Sequence, residues 1–338
     1  MTTGNRIGGT QFLWLLLAGR LSSCLLLPSD SLHTLTVPDL VAVTALNALF
    51  LLLLILPTVL LLRRGISSRI VSGGYLLVSL FVLYLDMLQF RDFAEETVKA
   101  DFSVTLLTVS LIVVGFAAAL YGVQALGRTA AVVAVLGIAL LLLFGALLIP
   151  QIEAVNFPPA VFGGWREVFA QTVKELPRTA EVVAVGALYS SVNGKVGKTF
   201  TVFVGLNAVL TFFVCIVTTG VLGDFAGLTA YPFYTAVTAA KAGVMERLDL
   251  LVVALWLGTF FVRVSLFGSI YLDHARHLFG EKYRVPSAAL GALILIVLLV
   301  LTRTVGLSGQ WRLITYLYWG VLALFCLGLP LVYRRKRV

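Results

Sequence analysis

The chain has 338 residues, 60% of them apolar and only 12% charged, with a mean hydropathy of +1.02. A soluble globular domain is excluded by these values, and a multi-spanning membrane protein is expected. Its formal charge of +9 is no nucleic-acid footprint, because the basic residues gather in short loops between apolar runs and in Tyr333-Arg334-Arg335-Lys336-Arg337, the distribution that sets membrane topology.

Stretches of about 20 apolar residues are enough to cross a hydrocarbon core of roughly 30 Å. They fall at 11–28, 38–62, 73–91, 101–125, 130–150, 165–193, 199–221, 248–272, 286–303 and 311–333. With the amino terminus inside, the inner loops receive Arg6, Arg63, Arg64, Arg69, Arg128, Lys195, Lys198, Arg276, Lys282, Arg284 and the terminal basic cluster. The outer loops carry fewer basic residues, several offset by Asp92, Glu95, Glu96, Glu167 and Glu175. Both termini are therefore expected on the cytoplasmic side of the membrane.

The predicted fold is all-α and polytopic, one integral membrane domain over residues 1–338 with ten transmembrane helices. Ten divides into five plus five, and an odd half makes the second enter from the opposite side. This permits an inverted repeat, of about 11–150 and 165–333, whose first helices are discontinuous. Segments one and six are the irregular ones. Segment one carries Ala18-Gly19-Arg20-Leu21-Ser22-Ser23 at mid-depth, and segment six carries Lys174-Glu175-Leu176-Pro177-Arg178-Thr179-Ala180-Glu181. Proline removes a backbone donor, and a carboxylate in hydrocarbon is costly, so such a break faces protein or a polar cavity.

These irregularities supply the candidate ligand-binding residues: Gly19, Arg20, Ser22, Ser23 and Glu181, with Asp86 and Arg263 from segments three and eight. Placing Arg20 at mid-span costs about 2.5 to 3.5 kcal/mol, which directs it to the bundle interior. There it recognises a ligand carboxylate, pairs with Glu181, or forms a structural ion pair. Glu181 resumes the helix after the proline, where it binds a ligand ammonium, gates the site, or caps the helix start. Asp86 and Gln89 share one helix face, as cavity wall or as interfacial polar groups. Arg263 is a second deep cation that responds to ligand or bridges an acid.

Other features carry less. Cys24, Cys215 and Cys326 lie in apolar runs without metal-like spacing, and they read as small buried side chains. Gly194-Lys195-Val196-Gly197-Lys198-Thr199 mimics the end of a nucleotide-binding loop but has Val192 where such a loop wants glycine. His274 and His277 read as members of a solvated charged loop. No catalytic constellation is visible, no cofactor or metal is implied, and a membrane enzyme is not expected. Residues 229–242 place Tyr231, Phe233, Tyr234 and Val237 on an amphipathic face, a candidate lid over the outer vestibule.

Read as a unit, residues 229–272 carry Tyr231-Pro232-Phe233, Glu246-Arg247-Leu248-Asp249, Trp256 and Phe261-Val262-Arg263-Val264-Ser265-Leu266. With the opening segment ending at Leu27-Pro28 and the Glu181 region, this pattern resembles the spore germination permease family. These are the B subunits of germinant receptors within the amino acid-polyamine-organocation superfamily. The resemblance implies a mid-membrane site for an amino acid or similar small germinant. It also implies assembly with an A subunit and a lipoprotein C subunit in the inner membrane of an endospore. The chain departs from superfamily transporters in its first helix, where Gly19 is followed by Arg20 in place of a Gly-x-Gly signature. The expected function is a germinant receptor subunit that triggers germination, with a proton- or cation-coupled amino acid permease as the alternative.

Overall fold

In the computed structural model, residues 6–27, 35–62, 69–97, 103–239 and 249–304 are described. Their helices are α1 Gly9–Leu25, α2 Val37–Leu62, α3 Arg69–Thr97, α4 Val104–Ala119, α5 Val123–Leu148 and α6 Trp165–Glu175, followed by α7 Glu181–Leu188, α8 Val196–Leu222, α9 Pro232–Ala239, α10 Asp249–Phe279 and α11 Arg284–Thr304. Six helical stretches among the described residues are long and apolar enough to cross a membrane. They match predicted segments two, three, five, seven, eight and nine. Segment four is the shorter α4, segment ten and Cys326 lie outside the described residues, and so do Glu246 and Arg247.

Segment six breaks as predicted. The helix α6 ends at Glu175, Leu176–Arg178 form one tight turn that contains the proline, and α7 starts at Glu181. Segment one does not break at its polar stretch. Instead α1 runs unbroken from Gly9 through Leu25, which corrects the expected discontinuity. The physical reason is that side chains elsewhere in the bundle satisfy Arg20, so no backbone group has to be freed for it. At 17 residues it is about 25 Å long, short for a membrane crossing.

Local chemistry explains the other boundaries. Ser103 accepts the Leu106 N–H at 3.3 Å and so caps α4. Gly122, at φ +87°, makes the tight turn into α5 that a side chain would strain. Asp39 in the first turn of α2 accepts the Gly163 N–H at 3.0 Å. That bond ties the start of α2 to the approach to α6. A two-residue parallel ladder pairs Ile7 with Val192 and Gly8 with Asn193. It holds the start of α1 beside the exit from α7, as expected of two segments that cross in opposite directions.

At the centre, α10 packs against α1, α3, α4 and α5, while α2 packs against α6, α7 and α8. The helices α3 and α10 run antiparallel in close register: Tyr75 stacks on His274, Asp86 meets Arg263, Phe90 meets Phe260, and Phe93 meets Trp256. His274 is therefore a packed residue of α10, not part of a solvated loop. Small residues bring the helices together, as expected where lipid offers no hydrophobic drive between them. A Cβ on Gly115 of α4 would lie 2.4 Å from Val264 Cγ1 on α10. Gly115→Val is expected to destabilise the bundle by about 1–3 kcal/mol through overpacking, read as a lowered melting temperature of the purified protein in detergent.

Candidate functional site

Four helices meet at the break in segment six. Arg263 of α10 donates from Nε to Asp86 Oδ2 of α3 at 2.7 Å, and from its Nη1 to Glu181 Oε1 of α7 at 2.5 Å. The same nitrogen donates to the Gly19 carbonyl of α1 at 3.0 Å. Phe267, one turn on from Arg263, sets its ring 5.7 Å from the guanidinium carbon. All four residues contributing polar groups are buried, with Glu181 fully so. One arginine thus joins two carboxylates and a helix carbonyl, and the three ionised side chains sum to one negative charge.

Glu181 is incompletely satisfied. Its Oε2 is buried and has no hydrogen-bond partner among the described residues, and the same holds for Glu175 Oε2 and Thr179 Oγ1 at the same break. A buried acceptor left unpaired costs about 1–3 kcal/mol, more when charged, so these oxygens are open valences of the site. Gly19 is what allows the carboxylate to sit there, because a Cβ at that position would lie 3.3 Å from Glu181 Oε1. The backbone donors at the start of α7 are not open in the same way. Val182 and Val183 donate to the Thr179 and Ala180 carbonyls, so the expected free donors of the helix restart are used within the break.

Arg20 does not pair with Glu181. Its Nε donates to Asn207 Oδ1 at 2.5 Å, its Nη1 to the Arg178 carbonyl at 3.1 Å, and its Nη2 to Thr211 Oγ1 at 3.4 Å. The expected cross-break pair is corrected: each side of the break has its own arginine. Arg20 is fully buried and is held by neutral oxygens, while nearby Glu175 is bound by Arg178 at 3.0 Å. Arg20 on α1 and Arg178 in the turn after α6 thus bring two guanidinium groups to the break, held by Asn207 and Thr211 of α8 and by Glu175 of α6, while Asp86, Glu181 and Arg263 form a separate cluster on α3, α7 and α10.

The remaining candidates are placed plainly. Ser22 donates to the Gly19 carbonyl at 2.7 Å, inside its own helix, and Ser23 is buried beside it. Asp86 is a buried member of the ion cluster and not an interfacial group. Gln89 donates to the Leu26 carbonyl at 3.5 Å. Asn207 and Thr211 were missed by the sequence reading, although their spacing of four puts two polar groups on one face of an apolar helix. Cys24 and Cys215 are buried free thiols, and Cys24 lies 3.5 Å from Thr211 Oγ1.

Outward from Arg263, toward the start of α10, the chain builds an aromatic layer. Trp256 stacks on Phe90 at 4.4 Å and packs against Phe93 at 4.4 Å and Phe260 at 5.3 Å. Phe93 is in turn met edge-on by Tyr231 at 4.9 Å and Tyr234 at 5.5 Å. Pro232–Ala239 form the helix expected of the lid, with Phe233 and Val237 buried. Burial pushes the Tyr231 hydroxyl well above its usual range, so it stays protonated.

Among solved structures, the chain is similar to Mhp1, a nucleobase-cation-symport-1 family transporter in a closed conformation with bromovinylhydantoin bound. The TM-score is 0.63 at 14% identity, over 86% of this chain and 72% of that one. It is also similar to the substrate-bound outward-open state of a Na+-coupled sialic acid symporter, with a TM-score of 0.62 at 11% identity, over 96% of this chain and 78% of that one. At these identities the likeness establishes a transporter fold. Comparison with curated protein sequences returns no match. The family model described as spore germination protein matches residues 58–305, which include Asp86, Glu181 and Arg263, and the chain belongs to that family.

Proposed function

We propose that this chain is the membrane-embedded subunit of a germinant receptor and that it binds an amino acid as its zwitterion at the break in segment six. The observation that carries the reading is Glu181 Oε2, a buried carboxylate oxygen without a hydrogen-bond partner among the described residues. It lies at the break in segment six, where Arg20 also binds the Arg178 carbonyl. A ligand ammonium completes Glu181, and the ligand carboxylate is drawn toward Arg20 and Arg178, whose guanidinium groups recognise carboxylates in planar geometry. Gly19 leaves the space for that approach. Binding then favours one arrangement of the broken segment over another, and that population shift is the signal read by partner A and C subunits.

The proposed architecture is the five-plus-five inverted repeat, approximately 11–150 and 165–333. It is supported by contacts between equivalent members of the two halves: α1 with α7, α2 with α8, α3 with α10, and α4 with α11. The proposed location is the inner membrane of the endospore, with both termini cytoplasmic. The ladder between Ile7–Gly8 and Val192–Asn193 favours this topology by holding two predicted inner-side segments together.

Spores lacking the gene, or carrying Glu181→Ala, are expected to lose amino-acid-triggered germination. Normal germination in both, in a strain without a redundant receptor, discards the reading. The solved structures of cation-coupled transporters favour one alternative, a cation-coupled amino acid permease. Concentrative uptake of labelled amino acid by vesicles holding this chain alone would select it.

A further inference from the structure

Trp256 belongs to the family-like stretch but lies outside the ion cluster, and it has an open valence of its own. The side chain is 1% exposed, yet its Nε1–H has no hydrogen-bond partner among the described residues. Indole nitrogens find an acceptor when buried, and a buried donor left bare costs about 1–3 kcal/mol. Its walls are Phe90, Phe93 and Phe260, which offer ring faces and edges but no oxygen. Trp256 lies seven residues before Arg263 on the same helix, about 10 Å along its axis, with Phe260 between them on one face.

We infer that the aromatic layer is the side-chain subsite of the ligand, and that the Trp256 indole N–H donates to an oxygen carried on the distal end of that side chain. This rests on the zwitterion reading above and deepens it. The favoured ligands are amino acids with a long aromatic body ending in a neutral oxygen acceptor, such as a phenol. Tyr231 and Tyr234, packed on Phe93 from the candidate lid, close the subsite from outside. The lid thereby senses whether the side chain fills the layer.

The test uses an isosteric pair on the purified full chain, L-tyrosine against L-phenylalanine, by equilibrium binding. The wild type is expected to prefer tyrosine by about five- to tenfold, the worth of one buried neutral hydrogen bond. Trp256→Phe keeps a stacking ring and removes the donor, so the ratio is expected to fall to about one. An unchanged ratio in W256F, with binding retained, overturns the assignment while leaving the zwitterion reading intact. If W256F fails to fold, the wild-type ratio decides alone, and equal affinity for the two overturns it. Absence of binding by both to the wild type overturns both readings.

Discussion

Replacing Arg263 with methionine is expected to cost about 3–5 kcal/mol of stability, the largest effect of any single substitution in the chain. The change keeps the length and removes the charge, leaving Asp86 and Glu181 as two buried carboxylates without their shared cation. The Gly19 carbonyl loses a donor at the same time. Three helices, α3, α7 and α10, are held to α1 through this one guanidinium, so the loss is felt across the bundle. Most of the cost is the penalty of uncompensated charge rather than the net worth of the bridge. The same substitution in an Asp86→Asn, Glu181→Gln background is therefore expected to cost at least ~1 kcal/mol less, a non-additivity typical of groups in one network. Thermal unfolding of the four proteins in one detergent reads both numbers. Equal cost in the two backgrounds would show that Arg263 serves packing alone.

Glu181→Gln is expected to separate binding from folding. The amide oxygen still accepts from Arg263, so the melting temperature stays within the range of about 1 kcal/mol of the wild type. What disappears is the negative charge that meets a ligand ammonium. A charge-assisted hydrogen bond is worth about 1.5–3 kcal/mol, so affinity for amino acids falls about ten- to a hundredfold. Arg20→Gln is expected to weaken binding through the other end of the ligand. Because Arg20 and Glu181 hold different partners, their effects on stability add. A strong stability coupling between them would contradict the two-cluster description.

Much of this was legible in the sequence, for identifiable reasons. A proline followed by a carboxylate inside a membrane-length apolar run leaves no continuous lipid-facing helix, and segment six breaks there. Arg263 was legible as a deep charge because it lies midway along an apolar helix and must find a partner, whereas Asp86, nearer the outer end of its segment, read equally as an interfacial group. Which charge pairs with which was not legible. That depends on the antiparallel register of α3 and α10, which brings together residues 177 positions apart, and no local pattern encodes it. Segment one misled because small polar residues around a charge look like an unwound helix. Asn207 and Thr211 instead solvate Arg20 from α8, and the backbone of α1 stays intact. Of the aromatic layer, Trp256, Tyr231 and Tyr234 were legible as separate residues, while Phe90, Phe93, Phe260 and the orphan indole donor depend on packing.

The measurement that tests the central claim most directly compares equilibrium binding of L-tyrosine, L-tyrosinamide and deaminated tyrosine to the purified chain. The proposed site engages both ends of a zwitterion, so the amide and the deaminated acid are each expected to bind at least about tenfold more weakly than the amino acid. Glu181→Gln is expected to abolish the preference for tyrosine over its deaminated form while keeping the preference over the amide. Equal binding of all three compounds by the wild-type protein would contradict the account.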